Sequence, residues 1–134
     1  MPEGEVIRWP EKTGELQNYL MESTRWNEFA FRDGDIVIAT WAKSGTTWMQ
    51  QIVGQLIFGG KEGVPVMDLC PWLDLRVLPK EDVFEMLDAQ NHRRFMKTHL
   101  PVHSLVFSPK ARYIYIGRDG RDAIWGWRRY PDIE

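Results

Sequence analysis

Between residues 35 and 60 the hydrophobic pattern changes its period within a few positions. Ile36, Val37 and Ile38 stand in a row, a β-branched run that predicts a buried strand over residues 35–40. From Trp48 onward, Trp48, Met49, Ile52, Val53, Leu56 and Ile57 recur at the spacing of one helical face, and Gly59-Gly60 supplies a helix stop. Between strand and helix lie Lys43, Ser44, Gly45, Thr46 and Thr47: a cation, a glycine and three hydroxyls in one turn. A strand feeding such a turn aims the free N–H groups and positive dipole end of the helix at one point, an arrangement suited to a phosphate.

The remaining pattern is read around that unit. Residues 1–12 carry Pro2, Gly4 and Pro10 and read as a loose arm. Residues 14–25 predict a short helix with Leu16, Tyr19 and Leu20 turned inward, and residues 26–31 alternate weakly, as a strand would, before the turn residues Arg32, Asp33, Gly34 and Asp35. Residues 61–79 are irregular, with Pro65, Pro71 and Pro79 set among Trp72, Leu73 and Leu75; a lid or substrate wall and a surface excursion pinned by Trp72 suit this stretch equally. A helix over 80–89, strands over 94–98 and 112–117, and a helix over 121–130 stopped by Pro131 complete the series.

Strands alternating with helices predict an α/β fold with a mostly parallel sheet, in which ligands sit outside the carboxyl ends of the strands. Each of the three predicted strands runs into a polar loop there: Lys43-Ser44-Gly45, Lys97-Thr98-His99 and Arg118-Asp119-Gly120-Arg121.

Composition narrows the partners. A chain of 134 residues suits one domain, and 43% hydrophobic with 27% charged residues is globular. A net charge of −2 argues against general nucleic-acid binding, so an anion site has to be a local cluster of cations. The single Cys70 cannot form an internal disulfide, which fits a reducing compartment, and it is read as a small buried hydrophobe. No apolar run approaches the ~20 residues of a membrane span, so the expected location is cytoplasmic.

The first loop lacks the GxxxxGK[ST] spacing of nucleoside triphosphatases. In the second, His99 leaves a strand beside Lys97 with Pro101 just beyond, and an imidazole there can take a proton near neutral pH. His92 and His103 are read as structural or exposed. In the third, Arg118 offers a planar fork for a phosphate, whereas Arg121 and Asp122 read as a solvated charge cluster.

Taken together, WAKSGTTWMQQI, FMKTHLP and YIYIGRDGRDA resemble, in sequence and in order, the motifs of the sulfotransferases that use 3′-phosphoadenosine 5′-phosphosulfate (PAPS). The resemblance covers roughly residues 35–130. It implies a P-loop-like three-layer α/β fold with a mostly parallel central sheet flanked by helices, incomplete at the C-terminus, in a single sulfotransferase-like domain over 1–134. It implies that Lys43 contacts the 5′-phosphosulfate while Ser44, Gly45, Thr46 and Thr47 cradle the 5′-phosphate. Trp48 would stack on adenine, a role that competes with its reading as core, and Arg118 would hold the 3′-phosphate. Lys97 would neutralise the sulfuryl group beside Lys43, and His99 would deprotonate a hydroxyl or amine of a small-molecule acceptor. No metal, nucleic acid or membrane is implied.

Two departures stand out: Gly126 occupies the place of a serine that also touches the 3′-phosphate in that family, and no Arg-Lys-Gly-type loop follows the third motif. Self-association, or a partner completing the fold, is therefore expected. The competing expectations are an inactive, truncated nucleotide-binding module and a P-loop kinase acting on ATP. Trp72, Leu73, Leu75, Phe84 and Val102 are candidate walls of an apolar acceptor pocket.

Overall fold

The computed structural model describes residues 8–129. Most of the expected N-terminal arm, and the helix end at Tyr130 with its Pro131 stop, lie outside the described residues.

Three parallel strands form the centre, with the first in sequence lying between the other two. Strand β1 (Ile36–Thr40) is buried along its whole length. It pairs with β2 (Phe95–Thr98) from Ile36↔Phe95 to Ala39↔Thr98, and with β3 (Arg112–Ile116) from Ile36↔Arg112 to Thr40↔Ile116. The unbroken apolar run of β1 is explained by burial of both faces. Ile36 and Ile38 pack with Phe95, Val53 and Val66 on one side. Val37 and Ala39 pack with Trp26, Leu73, Val83, Leu87 and Met96 on the other. The expected three-layer α/β arrangement is thus present.

Helix α2 (Thr46–Ile57) follows β1, and the short α3 (Val66–Leu69) packs against it. Their approach depends on Gly54, where an added Cβ would lie 2.6 Å from Val66 Cγ2. Helix α4 (Lys80–Asp88) turns Val83 and Leu87 into the opposite core, and α5 (Gly120–Arg129) follows β3. At the amino end of the sheet the buried Arg94 guanidinium donates to both oxygens of Asp35, at 2.9 and 2.6 Å. This pairs the residues immediately preceding β2 and β1 and supports their register.

Two predicted elements are overturned. Residues 14–25 do not form a helix: Asn18 Oδ1 accepts the N–H groups of Leu20 and Met21 at 2.8 and 2.7 Å, and Gln17 bridges Glu22 in antiparallel fashion. The short Asn side chain offers the backbone a turn that competes with helical bonding, and it leaves Tyr19 exposed instead of inward. Residues 26–31 are not a strand. A one-turn helix, α1 (Arg25–Glu28), begins this stretch, with Arg25 donating to the carbonyls of Arg76 and Leu78 at 3.2 and 2.6 Å. The weak alternation reflects the Trp26, Phe29 and Phe31 ring cluster, with centroid separations of 5.0–5.9 Å.

The face predicted for α2 also needs correction. Val53 is buried, but Trp48, Ile52 and Leu56 are exposed, with Trp48 at 79%.

Candidate active site

The turn after β1 takes its shape from two left-handed residues, Lys43 at φ 61° and Gly45 at φ 102°. Such a backbone suits glycine and is uncommon for lysine. The Lys43 carbonyl accepts from Arg118 Nη1 at 2.6 Å, so the third loop fastens the first. Gly126 on α5 allows the close approach, since a Cβ there would stand 3.3 Å from Lys43 Cβ and 3.8 Å from Arg118 Nη1. Gly45 caps α2, whose first turn carries no acidic side chain. Its positive end is therefore left to whatever anion lies in front of it. Thr46 is buried and shares a hydrogen bond with Thr40 Oγ1; Ser44 is buried, and Thr47 and Trp48 face solvent.

On β2, Lys97 and His99 reach the same rim. His99 Nδ1 lies 2.9 Å from the Thr40 carbonyl, an acceptor only, so this nitrogen carries the proton and Nε2 is the basic one. The indole of Trp72 stands edge-on to the imidazole, with centroids 4.7 Å apart at 84°. Lys97 Nζ lies 5.4 Å from the centre of the Trp72 ring. Burial pushes the His99 pKa below its ordinary value, against the Thr40 carbonyl bond, with Lys97 and Lys43 adding to the depression. Burial likewise lowers the Lys97 pKa, again with a contribution from Lys43. Lys43 Nζ sits 5.8 Å from the Trp127 ring centre.

All nine residues named from the motifs (Lys43, Ser44, Gly45, Thr46, Thr47, Trp48, Lys97, His99 and Arg118) line one cleft of about 1090 Å³. Trp41, Tyr19 and Trp127 border it as well. A smaller cavity of about 390 Å³, also bordered by Trp72, is lined by Leu75, Pro71, Met67, Val83, Met86 and Lys97 among others. Of the candidate acceptor-pocket residues, Trp72 borders both spaces and Leu75 the smaller. Leu73 and Phe84 belong to the core, and Val102 is exposed and lines neither. The latter part of the stretch 61–79 lines the smaller cavity and is tied to β2: Lys97 N–H donates to the Pro71 carbonyl at 2.9 Å and Leu73 N–H to that of Lys97 at 3.3 Å.

His92 packs on Phe58, and His103 offers its carbonyl to Thr13 and Gly14; neither lines the cleft. Arg121 pairs with Asp119 at 3.2 Å, the solvated cluster expected for it. The Cys70 thiol is buried and pushed up to about 11 by that burial. Among the described residues no group of three or more His, Cys, Asp or Glu could hold a metal, and no helix is long and apolar enough to cross a membrane.

A parallel sheet with cation-bearing loops gathered at its carboxyl ends, one of them opening a helix, defines a protein of the P-loop-like α/β class. Within that class the chain belongs to the sulfotransferase domain family, whose model matches residues 33–127. It is 44% identical over 108 residues to the glycolipid sulfotransferase of Mycobacterium tuberculosis strain H37Ra, an alignment covering 80% of this chain and 33% of that protein. It is 34% identical over 139 residues to human sulfotransferase 2B1, covering 97% and 37%. The crystal structure of mouse sulfotransferase SULT7A1 complexed with PAP shares the fold, with a TM-score of 0.61 at 24% identity over 81% of this chain and 37% of that one. The chain therefore spans about a third of the length of these relatives.

Proposed function

We propose that this chain carries the donor-binding and proton-accepting half of a PAPS-dependent sulfotransferase acting on a hydroxyl or amine of a small molecule in the cytoplasm. One observation carries the reading: Lys43, Lys97, Arg118, the start of α2 and the basic nitrogen of His99 converge on one cleft. The cation set fits a donor with two phosphate-bearing ends. The N–H groups opening α2 and the hydroxyls of Ser44, Thr46 and Thr47 suit the 5′-phosphate, and Arg118 across the turn suits the 3′-phosphate. Exposed Trp48 is open to an adenine face. In the transfer step the acceptor oxygen or nitrogen forms a bond to sulfur as the sulfur–oxygen bond to the departing phosphate breaks. The acceptor proton passes to His99 Nε2, and Lys43 and Lys97 offset the charge growing on the leaving oxygen. The products are the sulfated acceptor and 3′,5′-bisphosphoadenosine.

Transfer of labelled sulfate to a phenol and to a glycoside, measured beside binding of 3′,5′-bisphosphoadenosine, tests the proposal; the glycoside is included because the mycobacterial relative is a glycolipid sulfotransferase. Turnover that drops at least ~10²-fold in His99→Ala with nucleotide affinity retained is the expected result. Binding without any turnover would favour the inactive nucleotide-binding module, and Mg-dependent ATP binding with none of the bisphosphate would favour a kinase. Arg118→Ala should weaken the bisphosphate by roughly 10-fold or more, because it removes a charge-assisted contact and also frees the first loop that Arg118 holds at the Lys43 carbonyl.

A further inference from the structure

Asp74 lies outside the cleft and is fully buried. Its two carboxylate oxygens are divided between two indoles: Oδ1 accepts from Trp26 Nε1 and Oδ2 from Trp72 Nε1, each at 3.0 Å. Trp26 is itself immobilised in the core between Phe29 and Phe31, and the Glu22 N–H donates to the Asp74 carbonyl at 2.9 Å. The same Trp72 ring meets His99 and Lys97. A carboxylate is needed for this arrangement, because an amide presents one acceptor oxygen and would turn its NH₂ toward the second indole N–H. Burying it is costly, since burial raises the Asp74 pKa against the Thr98, Trp26 and Trp72 donors. A fold that needed only packing here could use an apolar residue instead.

We infer that Asp74 is a positioning residue of the active site: it clamps Trp72 to the core so that the indole screens His99 from water and stands beside the Lys97 ammonium. The inference rests on the reading of His99 as the proton acceptor, but its test does not need turnover. The charged groups bearing on His99 are Lys97 on β2 and Lys43 on the first loop, while Asp74 and Cys70 bear on Lys97.

The experiment follows the ring C–H resonances of His99 by NMR from acid to neutral pH in the full chain, in Asp74→Asn, in Trp72→Phe and in the double variant, assigning the signal by its loss in His99→Gln. Freed of the clamp, the imidazole is more hydrated, so its midpoint should rise in each single variant toward that of an unburied histidine. The double variant should move no further than Trp72→Phe alone, because Asp74 acts through an indole N–H that phenylalanine lacks. An unchanged midpoint in either folded single variant overturns the clamp, as does full additivity in the double variant. Should Asp74→Asn not fold, Trp72→Phe alone still decides, since it removes the N–H and keeps a ring. Binding of 3′,5′-bisphosphoadenosine to the unsubstituted chain is measured in parallel; its absence would count against the sulfotransferase reading and leave the clamp result standing.

Discussion

His99 offers chemistry through only one of its two nitrogens, and burial favours the neutral ring that such chemistry requires. Because its folded pKa lies below the unfolded value of about 6.5, the unfolded chain binds more protons in the interval between the two. Stability therefore rises with pH through that interval, and is lost as pH falls from about 6.5 toward the folded pKa. Urea midpoints taken across this range should decline more steeply in the unsubstituted chain than in His99→Gln; parallel curves would show that the imidazole is not held in its neutral form. The acid limb of any transfer activity should likewise lie below that of an unburied histidine. The candidate base could be read from the chain because it sits in a motif beside Lys97. Thr40, whose carbonyl fixes the tautomer, and Asp74, which holds the neighbouring indole, could not. Their roles arise from contacts made across 59 residues in one case and onto a core tryptophan in the other, and nothing in their local sequence marks them.

Among the elements, the three strands were legible because their periodicity coincides with their burial, whereas α2 was legible as a helix but not in its buried face, since Trp48, Ile52 and Leu56 are exposed. The β-branched run of β1 is enclosed on both faces, and Ile114 alternates inward against the exposed Tyr115. Residues 14–31 were not legible. There, side chains such as Asn18, Glu15 and Ser23 bond to nearby backbone or to each other, overriding a pattern that on apolar spacing alone predicts helix. Where α2 and α3 meet, the limiting contact is steric. Gly54→Ala would drive a methyl group into Val66 and should cost about 1–3 kcal/mol in urea denaturation. Val66→Ala in the same chain should recover part of that loss, and simple additivity of the two changes would mean the helices do not meet at this point.

At the scale of the molecule, apolar side chains are displayed in two neighbourhoods. Trp48, Ile52 and Leu56 stand on the outer face of α2, and Tyr115, Ile124 and Trp125 on β3 and α5. Surface of this kind favours association. Sedimentation velocity should show a weight-average mass that grows with concentration, and Leu56→Glu combined with Trp125→Glu should reduce that growth. A concentration-independent monomer would mean these residues do not associate in solution.

The parallel sheet carries a consequence for how the molecule is made. Every pairing of β1 is with a segment far downstream, and none of its ladders is a hairpin. During synthesis the first strand must wait, its hydrogen-bonding groups unmet, until β2 and then β3 leave the ribosome. Assembly of this sheet is therefore a late and comparatively slow event, governed by loop closure more than by local propensity. A chain halted before Arg112 would present a greasy, half-paired ribbon to the cell's chaperones, and the anion-holding turn would lack the arginine that ties it down.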